Sequence, residues 1–472
     1  MIRPTLALTL AAGLLASCML EPKYQRPASP VPAAWPTGPS YGAPTDVSIT
    51  GWRQVFPDPK LRLVIEQALA NSRDLRVAIA QIQASRSQYR IQRAALLPTI
   101  DASVGASTGR TYTGLPPSVG AAYANETTYT ASVFSTGYEL DLFGHVRSLT
   151  RQALQTYLAT EEARRSVQIS LVAEVATDYL TIASDASQLD VSKATVISAG
   201  ANFDLARRRL AGGIGSQLDV SAAQTIVEEA KDDVARYTTL VAQDKNALDL
   251  VVGAPVDPDN LPTGVDDPAT HLGDVPGSLN SRILLQRPDV LEAEHTLRGA
   301  NANIGAARAA FFPSISLTGS GGSESASVSN LFSGRSGVWN FSPTVTIPIF
   351  AGGANIANLG YAKAEDRIDV AQYEKAIQTA FRESADALAQ RGTIAERLRA
   401  QRSRVEAAAE SLRLAQALYA RGSDSYLDVL TAERTLFSAQ QSLISVWLIQ
   451  TSNVVTLYKV LGGSLQDREG AG

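Results

Sequence analysis

An internal duplication constrains this chain more than any other feature of its sequence. The segment LAGGIGSQLDVSAAQ, Leu210 to Gln224, aligns without a gap with YARGSDSYLDVLTAE, Tyr419 to Glu433, about two hundred residues later. Two further pairs keep nearly the same offset: RAALLPTIDASVG with RAAFFPSISLTGS, and, more faintly, LDLFGHVRS with IPIFAGGAN. Each half is therefore predicted to run through helix, strand, loop, strand, long helix, tight turn and helix.

The long helix of each half is predicted from the absence of helix breakers. From about Ser148 to Leu210 the chain has no proline and one glycine, Gly200. Apolar residues recur at seven-residue spacing, which is typical of a coiled-coil seam; they are Val175, Ile182, Leu189, Val196, Phe203 and Leu210, and in the second half Leu398, Val405, Leu412 and Tyr419. A helix of ~95 Å at 1.5 Å per residue is too long for an ordinary amphipathic core helix.

The strands are predicted from period-two alternation. WNFSPTVTIPI and FSTGYELDLF each place apolar residues on one face and polar residues on the other, and more weakly alternating partner strands start near Thr99 and Ser314. The polar segment GRTYTGLPPSVGAAYANETT is predicted to be the loop of the first hairpin. Strands of about ten residues with this pattern are typical of an outer-membrane β-barrel.

Four strands cannot close a barrel, and an open sheet edge in lipid would leave backbone groups without hydrogen bonds. The barrel must therefore be shared between chains. Two chains would supply eight strands and three would supply twelve, and the wider ring leaves a lumen. The polar inner face favours the wider ring.

The first residues predict export and lipid anchoring. Residues 1–17 have the short apolar run of a signal peptide, which ends at LLASC with the only cysteine of the chain, Cys18. LASC resembles a bacterial lipobox, in which the signal is cut before a cysteine that becomes acylated, for example with palmitate; an unpaired thiol in a cleaved signal is the alternative. Met19 at the next position implies sorting to the outer membrane. Seven prolines between Pro22 and Pro44 then predict an extended tether.

The repeated segment itself is predicted to be the turn where each long helix reverses. Gly212, Gly213 and Gly215 in the first copy, and Gly422 in the second, tolerate positive φ at the end of the incoming helix. The outgoing helices are predicted to start at the serines Ser216 and Ser425. Asp219 and Asp428 then follow within the first turn, where a carboxylate also interacts favourably with the helix dipole.

Catalytic and nucleic-acid-binding functions find little support. The net charge of −4 gives no nucleic-acid signature. GASTG, Gly105 to Gly109, fits a nucleophile pattern but lies between a strand and a loop rather than at a strand-to-helix turn. His145, His271 and His295 share no metal-ligand spacing, and no glycine-rich phosphate loop precedes a helix. We therefore predict neither an enzyme nor a bound metal or cofactor.

The lipobox, the duplicated hairpin-and-helix halves and the segment YARGSDSYLDVLTAERTLFSAQQSL together resemble the TolC-type outer-membrane efflux family, in its lipoprotein branch that works with RND pumps. This resemblance implies an α+β membrane protein that forms a homotrimer. Its twelve-stranded barrel in the outer membrane would continue into a periplasmic tunnel of antiparallel coiled-coil helices. The helix tips would meet a periplasmic adaptor protein and its inner-membrane RND pump, which loads drugs or other small molecules.

The resemblance also implies domain bounds and tip residues. The two efflux repeats are placed at 60–252 and 281–462, with an anchor and tether at 18–59, a linker at 253–280 and a tail at 463–472. Family tip residues match a docking set, namely Gly213, Leu218, Arg421, Gly422 and Leu427, and an acidic gate at Asp219 and Asp428. Relatives often carry a second aspartate where this chain has Thr431. The hypothesis is that three copies of Asp428 converge on the channel axis and interact with cations.

Two alternative functions use much of the same sequence. A conduit for secreted proteins, as in type I secretion, would share the architecture and differ in its partners. A lipid-tethered periplasmic coiled-coil protein without a pore would explain the helices and leave the alternating strands without a purpose.

Overall fold

The computed structural model describes residues 19–41, 51–112, 123–273 and 280–463. The signal peptide, Cys18, part of the tether and linker, the centre of the first hairpin loop and the tail from residue 464 lie outside the described residues. In the part of the chain that the structure describes, no helix carries an apolar stretch long enough to cross a membrane.

Four strands form one antiparallel sheet in the order β1-β2-β3-β4. They are β1, Asp101–Tyr112; β2, Tyr123–Leu140; β3, Ser314–Ser325; and β4, Gly337–Thr346. Each repeat supplies one hairpin, and β2 pairs with β3 so that the two hairpins are neighbours. The outer strands β1 and β4 are exposed along their whole length.

The bounds of the first hairpin correct the sequence prediction. The segment predicted as loop is paired at both of its ends, so that β1 continues to Tyr112 and β2 starts at Tyr123 and is 18 residues long. Thr108 and Thr127 face each other with hydroxyl oxygens 3.1 Å apart, and the rings of Tyr112 and Tyr123 lie 5.4 Å apart. These cross-strand pairs stabilise a sheet without any apolar alternation, which is why the pattern missed them.

The strand ends next to the long helices were also predicted too far along the chain. β2 ends at Leu140 and β4 ends at Thr346, before the segments Asp141 to Phe143 and Ile347 to Ile349 that the alternation included. Glycines in the left-handed conformation follow both ends, at Gly144 (φ 78°) and Gly352 (φ 58°). They turn the chain out of the sheet and into a helix.

The helices match the predicted program. They are α1, Trp52–Val55; α2, Pro59–Asn71; α3, Arg73–Ala94; α4, His145–Ala211; α5, Gln217–Val252; α6, Pro288–Ala309; α7, Ala354–Arg421; and α8, Tyr426–Val460, with short 3-10 turns between α5 and α6 and between β3 and β4. α4 and α7 have 67 and 68 residues, which confirms one long helix per repeat. Each residue of the predicted heptad seam is buried or half-buried.

The chain divides into two compact units. The first contains residues 1–27, 81–160 and 292–373, with the sheet and the helix segments next to it. The second contains residues 28–80, 161–291 and 374–472, with both helix tips. The largest apolar core of the second unit gathers α1, α2 and parts of α4, α5 and α8 around Tyr179, Leu180 and Leu457.

The first unit holds the residues that follow Cys18. The strap, residues 19–27, lies on α6: Arg308 donates a hydrogen bond to the carbonyl of Leu20 at 3.1 Å, and Asn301 donates one to the carbonyl of Pro22 at 2.9 Å. Arg26 forms an ion pair with the buried carboxylate of Glu294 at 2.6 Å. The strap is therefore fixed to the same unit as the sheet.

Candidate functional site

The sheet presents large apolar side chains to its surroundings. On β4, Trp339, Phe341 and Val345 are exposed, Trp339 by 82%. They alternate with Asn340, Ser342 and Thr344, as the sequence predicted. Among the described residues, each outer strand has a single neighbour in the sheet, so that backbone groups along its other side are unpaired. Such a surface requires an apolar environment and additional strands.

The first helix tip is a tight turn between α4 and α5. The N–H of Gly213 donates to the carbonyl of Leu210, and the N–H of Ile214 donates to that of Arg209, both at 3.0 Å. Gly213 adopts φ 73°, as predicted, whereas Gly212 and Gly215 do not have positive φ. Gly215 is required for a different reason, because a Cβ there would lie 2.9 Å from the backbone nitrogen of Leu210.

Ser216 and Asp219 start α5 with a reciprocal capping box. The Asp219 N–H donates to the Ser216 hydroxyl at 3.1 Å, and the Ser216 N–H donates to Asp219 Oδ2 at 3.2 Å. Both backbone groups would otherwise lack a partner at the start of the helix. The carboxylate of Asp219 therefore has a structural task.

The second tip repeats the turn but not the cap. Gly422 adopts φ 78°, as Gly213 does in the first tip. Ser425 precedes α8 without capping a backbone N–H, and its hydroxyl instead donates to Asp428 Oδ2 at 2.7 Å. The Thr431 hydroxyl donates to the carbonyl of Leu427 at 2.8 Å. Asp428 thus holds no backbone group of the cap.

Both tips expose apolar residues at the starts of the outgoing helices. Leu218 is 77% exposed, Leu427 is 65% exposed, and Ile214 lies in the first turn with a similar exposure. Arg421 is also exposed. Exposed apolar side chains beside a charged one are suited to contact with another protein.

The tips are joined behind the turns by contacts that sequence reasoning missed. Arg209 of α4 donates to the carbonyl of Tyr419 on α7 at 2.7 Å, and its guanidinium lies 4.5 Å from the centre of the Tyr419 ring. The Tyr419 ring packs against that of Tyr426 at 5.3 Å. Burial raises the pKa of both tyrosine hydroxyls. The heptad seam identified Tyr419, but no pattern singled out Arg209 or Tyr426.

The residues considered for chemistry are not brought together. His145 is the first residue of α4, and His295 lies on α6 with its Nδ1 2.7 Å from Gln155 Oε1. Gly105 to Gly109 is part of β1 and pairs with β2. Among the described ranges, no group of three or more histidine, cysteine or acidic residues is arranged to hold a metal ion.

A duplicated fold with one β-hairpin and one pair of long helices per half, and an exposed apolar sheet, defines a membrane channel subunit. The family model for outer membrane efflux proteins matches residues 64–254 and 279–463, and the chain belongs to that family. It is the outer-membrane channel component of an efflux system, a transport protein and not an enzyme.

Known proteins resemble the chain over nearly its whole length. It is 46% identical over 474 residues to the antibiotic efflux pump outer membrane protein ArpC of Pseudomonas putida, with 100% of this chain and 97% of that protein covered. It is also 46% identical to a toluene efflux pump outer membrane protein, TtgC, of the same species over the same coverage. The crystal structure of the open state of the MtrE channel of Neisseria gonorrhoeae superposes with a TM-score of 0.85 at 35% identity, covering 95% of this chain and 99% of that one. The predicted fold class is confirmed.

Proposed function

We propose that three copies of this chain assemble into one channel, with each copy contributing four strands to a twelve-stranded barrel. The observation that carries this proposal is the open sheet, in which β1 and β4 are exposed and each has a neighbour on one side only in the part of the chain that the structure describes. Unpaired backbone groups in lipid cost several kcal/mol each, so that both edges need strands from other copies. Twelve strands also leave a lumen, which a conduit requires.

The partners of this channel are a periplasmic adaptor protein and an inner-membrane RND pump. The exposed Ile214, Leu218 and Leu427, together with Arg421, support docking of an adaptor at the tips. The relatives named for antibiotics and toluene support small organic molecules as substrates. The channel contributes a passive path, and the pump supplies energy and selectivity.

The tips form the periplasmic gate. Asp219 is engaged by the cap of α5, whereas Asp428 accepts a hydrogen bond from a side-chain hydroxyl. This difference favours Asp428 as the acidic residue that three copies place on the axis, where like charges would attract cations. Thr431 adds no second charge at this position.

The chain is anchored by lipid on Cys18, in the manner of the lipoprotein branch of the family. The strap after Cys18 supports this proposal: a Cβ on Gly144, which follows the end of β2, would lie 3.5 Å from Met19 Cγ. Met19, which follows Cys18 in the chain, therefore lies beside the end of a strand. Mature protein from a Cys18→Ala variant with a cleavable signal should keep its channel activity and lose labelling by palmitate.

Assembly is tested by the mass of the protein extracted from outer membranes in mild detergent, measured by native mass spectrometry or light scattering. A mass of three chains that falls to one chain on heating supports the shared barrel. A monomer or a dimer in active, membrane-inserted protein would contradict it.

A further inference from the structure

A buried carboxyl group lies directly behind the tips. Glu433 on α8 is 3% exposed, and side chains of the same chain are sufficient to bury it. Asn202 of α4 donates from Nδ2 toward Glu433 Oε1 at 3.3 Å and Oε2 at 3.2 Å. Gln416 of α7 in turn lies with its Nε2 3.4 Å from Asn202 Oδ1. The Asn202 amide thus contacts both Glu433 of α8 and Gln416 of α7. These contacts join the helix pair of the first repeat to that of the second.

No cation compensates this carboxyl group among the described residues. The adjacent Arg434 pairs with Glu229 of α5 at 3.3 Å, and that pair is exposed. Burial raises the pKa of Glu433, and hydrogen bonds from Asn202 and Ser198 oppose the shift without reversing it. An ionised carboxylate that is buried against a neutral amide is costly, and the group takes up a proton more readily instead.

The charged and titratable groups around Glu433 come from all four helices. Burial and then the charge of Glu433 raise the pKa of Tyr426 on α8, and Tyr419 of α7 packs on Tyr426. Arg209 of α4 is bound to the backbone of Tyr419. Glu433 lines a groove of 530 Å³ together with Glu229, Asp233 and Arg236 of α5. The charge of Asp219 contributes to the raised pKa of both tyrosines. These groups lie around the contact, and none replaces Asn202 as its hydrogen-bond donor.

The internal duplication shows that the tip turn itself does not require an acid at this position. The alignment of the two tips places Gln224 of α5 opposite Glu433, and Gln224 is exposed. The same turn is therefore built in the first repeat with a neutral side chain that faces solvent. The second repeat buries an acid instead, at a position where a neutral amide of nearly the same shape is available.

We propose that Glu433 is a proton-dependent positioning residue, which packs α8 against α4 when it is protonated and weakens that packing when it is ionised. Its effect on transport rests on the proposed function of the tips as a gate. Acidification would then favour closely packed tips, and a rise in pH would favour their separation.

The sign follows from proton linkage. The packed state binds the Glu433 proton more tightly than a separated state in which the side chain meets water. The contribution to packing is therefore complete below the ordinary glutamate pKa of ~4.3 and is lost as the pH rises through the raised pKa of the packed state. Within that window the packing equilibrium changes by up to ~tenfold per pH unit.

The test compares the wild type with Glu433→Gln, which keeps the shape and stays neutral, between about pH 5 and pH 8. Hydrogen exchange of residues 426–437, corrected for the intrinsic effect of pH on exchange, reports packing directly, and single-channel open probability reports the gate. Glu229→Gln is the matched control, because it neutralises an exposed glutamate in the same groove. We expect protection of this segment to fall several-fold with rising pH in the wild type and in Glu229→Gln, and to be independent of pH in Glu433→Gln.

A second variant keeps the proposal testable if Glu433→Gln has another defect. Asn202→Asp replaces the donor amide with a second carboxyl group, so that protection at about pH 7 should fall below that of the wild type. Adding Glu433→Gln should restore it, because an amide and an acid again face each other. Failure of this rescue, or a pH response that persists in Glu433→Gln, would overturn the proposal.

The two readouts separate this inference from the proposed gate. If exchange follows Glu433 while the current ignores it, the contact stands and the gate at the tips does not. If Asp428→Ala changes the current while exchange of residues 426–437 is independent of pH, the gate stands and the role of Glu433 is refuted.

Discussion

Asp219 and Asp428 occupy equivalent positions in the two tips, yet they make different contacts. Asp219 completes a capping box, whereas Asp428 accepts a hydrogen bond from the Ser425 side chain. The duplication predicted both residues but could not distinguish them, because both tips have a serine followed three positions later by an aspartate and differ only in which atoms of that pair are hydrogen-bonded. Equivalent substitutions should therefore have different effects.

Asp428→Ala is expected to raise open probability and weaken cation preference, because it removes the proposed ring of charge from the axis. Single-channel recording with a salt gradient measures both quantities. Asp424→Ala is the matched control, since it removes the same charge from the same exposed turn. Equal effects of the two variants would show that only the net charge of the tip matters.

Asp219→Ala should instead lower stability by ~1 kcal/mol, through loss of the cap of α5. Thermal unfolding followed by circular dichroism measures this change, and Asp428→Ala provides the comparison. A larger loss of stability in Asp428→Ala would contradict the assignment of the capping task to Asp219.

Gly422 has a conformational role that another residue cannot take without strain. Its φ of 78° lies in the left-handed region, so that Gly422→Ala should cost ~1 kcal/mol. Gly360→Ala in α7 is the control, because a Cβ there meets open space and a helix interior favours alanine. Denaturant unfolding should show opposite signs for the two variants, and destabilisation by both would contradict this explanation.

At the scale of secondary structure, strand β4 shows the clearest alternation of apolar side chains on one face and polar side chains on the other. Trp339→Arg should impair insertion into the outer membrane, since an arginine on the lipid face of a barrel costs up to ~2–4 kcal/mol. Asn340→Arg places the same charge on the opposite face of the same strand and should insert normally. Heat-modifiable mobility of membrane fractions on gels distinguishes the outcomes, and equal defects would refute the assignment of the faces.

The long helices carry a second pH-sensitive group in α4. Burial, aided by the nearby Glu174, raises the pKa of Asp178 to about 6. The packed state then binds its proton more tightly, so its contribution to stability is complete below the ordinary aspartate pKa of ~3.9 and is lost as the pH rises through about 6.

Asp178→Asn should remove that part of the pH dependence and raise stability above pH 6 by on the order of 1 kcal/mol after solvent screening. Unfolding midpoints measured between about pH 5 and pH 8 provide the test. Asp190→Asn, an exposed aspartate of the same helix that pairs with Lys193, is the control and should leave the profile unchanged. An unchanged profile for Asp178→Asn would show that Asp178 is solvated in the assembled protein.

The sequence predicted helices and strands to different accuracy for a physical reason. Helix α4 was predicted within a few residues, because its sequence contains no proline and one glycine and because the glycines of the tip mark its end. The ends of β1 and β2 were missed, because Thr108, Thr127 and their neighbours alternate nothing apolar and pair through hydroxyl groups and rings. An alternating apolar pattern arises when a strand buries one of its two faces. The ends of β1 and β2 bury neither face, so their sequences do not show it.

Buried polar contacts set the limit of prediction at the candidate site. The turns and their exposed leucines were predicted from two aligned segments, each local in sequence. Glu433 and Asn202 are separated by 231 positions, and each alone looks like an ordinary polar residue on a helix surface. Only the register between four helices brings them together, and that register was not encoded in either repeat by itself.

At the scale of the whole molecule, a single chain is an incomplete membrane protein. The two open edges of the described sheet would leave backbone groups unpaired in lipid, whereas its exposed apolar side chains are compatible with lipid. The proposed trimer closes both edges through one symmetric assembly, since heterologous edges close into a ring. In the proposed assembly, the gate, the adaptor docking and conduction would all depend on that closure.

The most direct test is single-channel current through the purified mature protein in a planar lipid bilayer, on a preparation whose mass and folding have been verified. We predict small, cation-preferring currents from trimers, with larger open probability in Asp428→Ala. Absence of current from both proteins, although both are folded, trimeric and inserted, would contradict the shared conducting barrel.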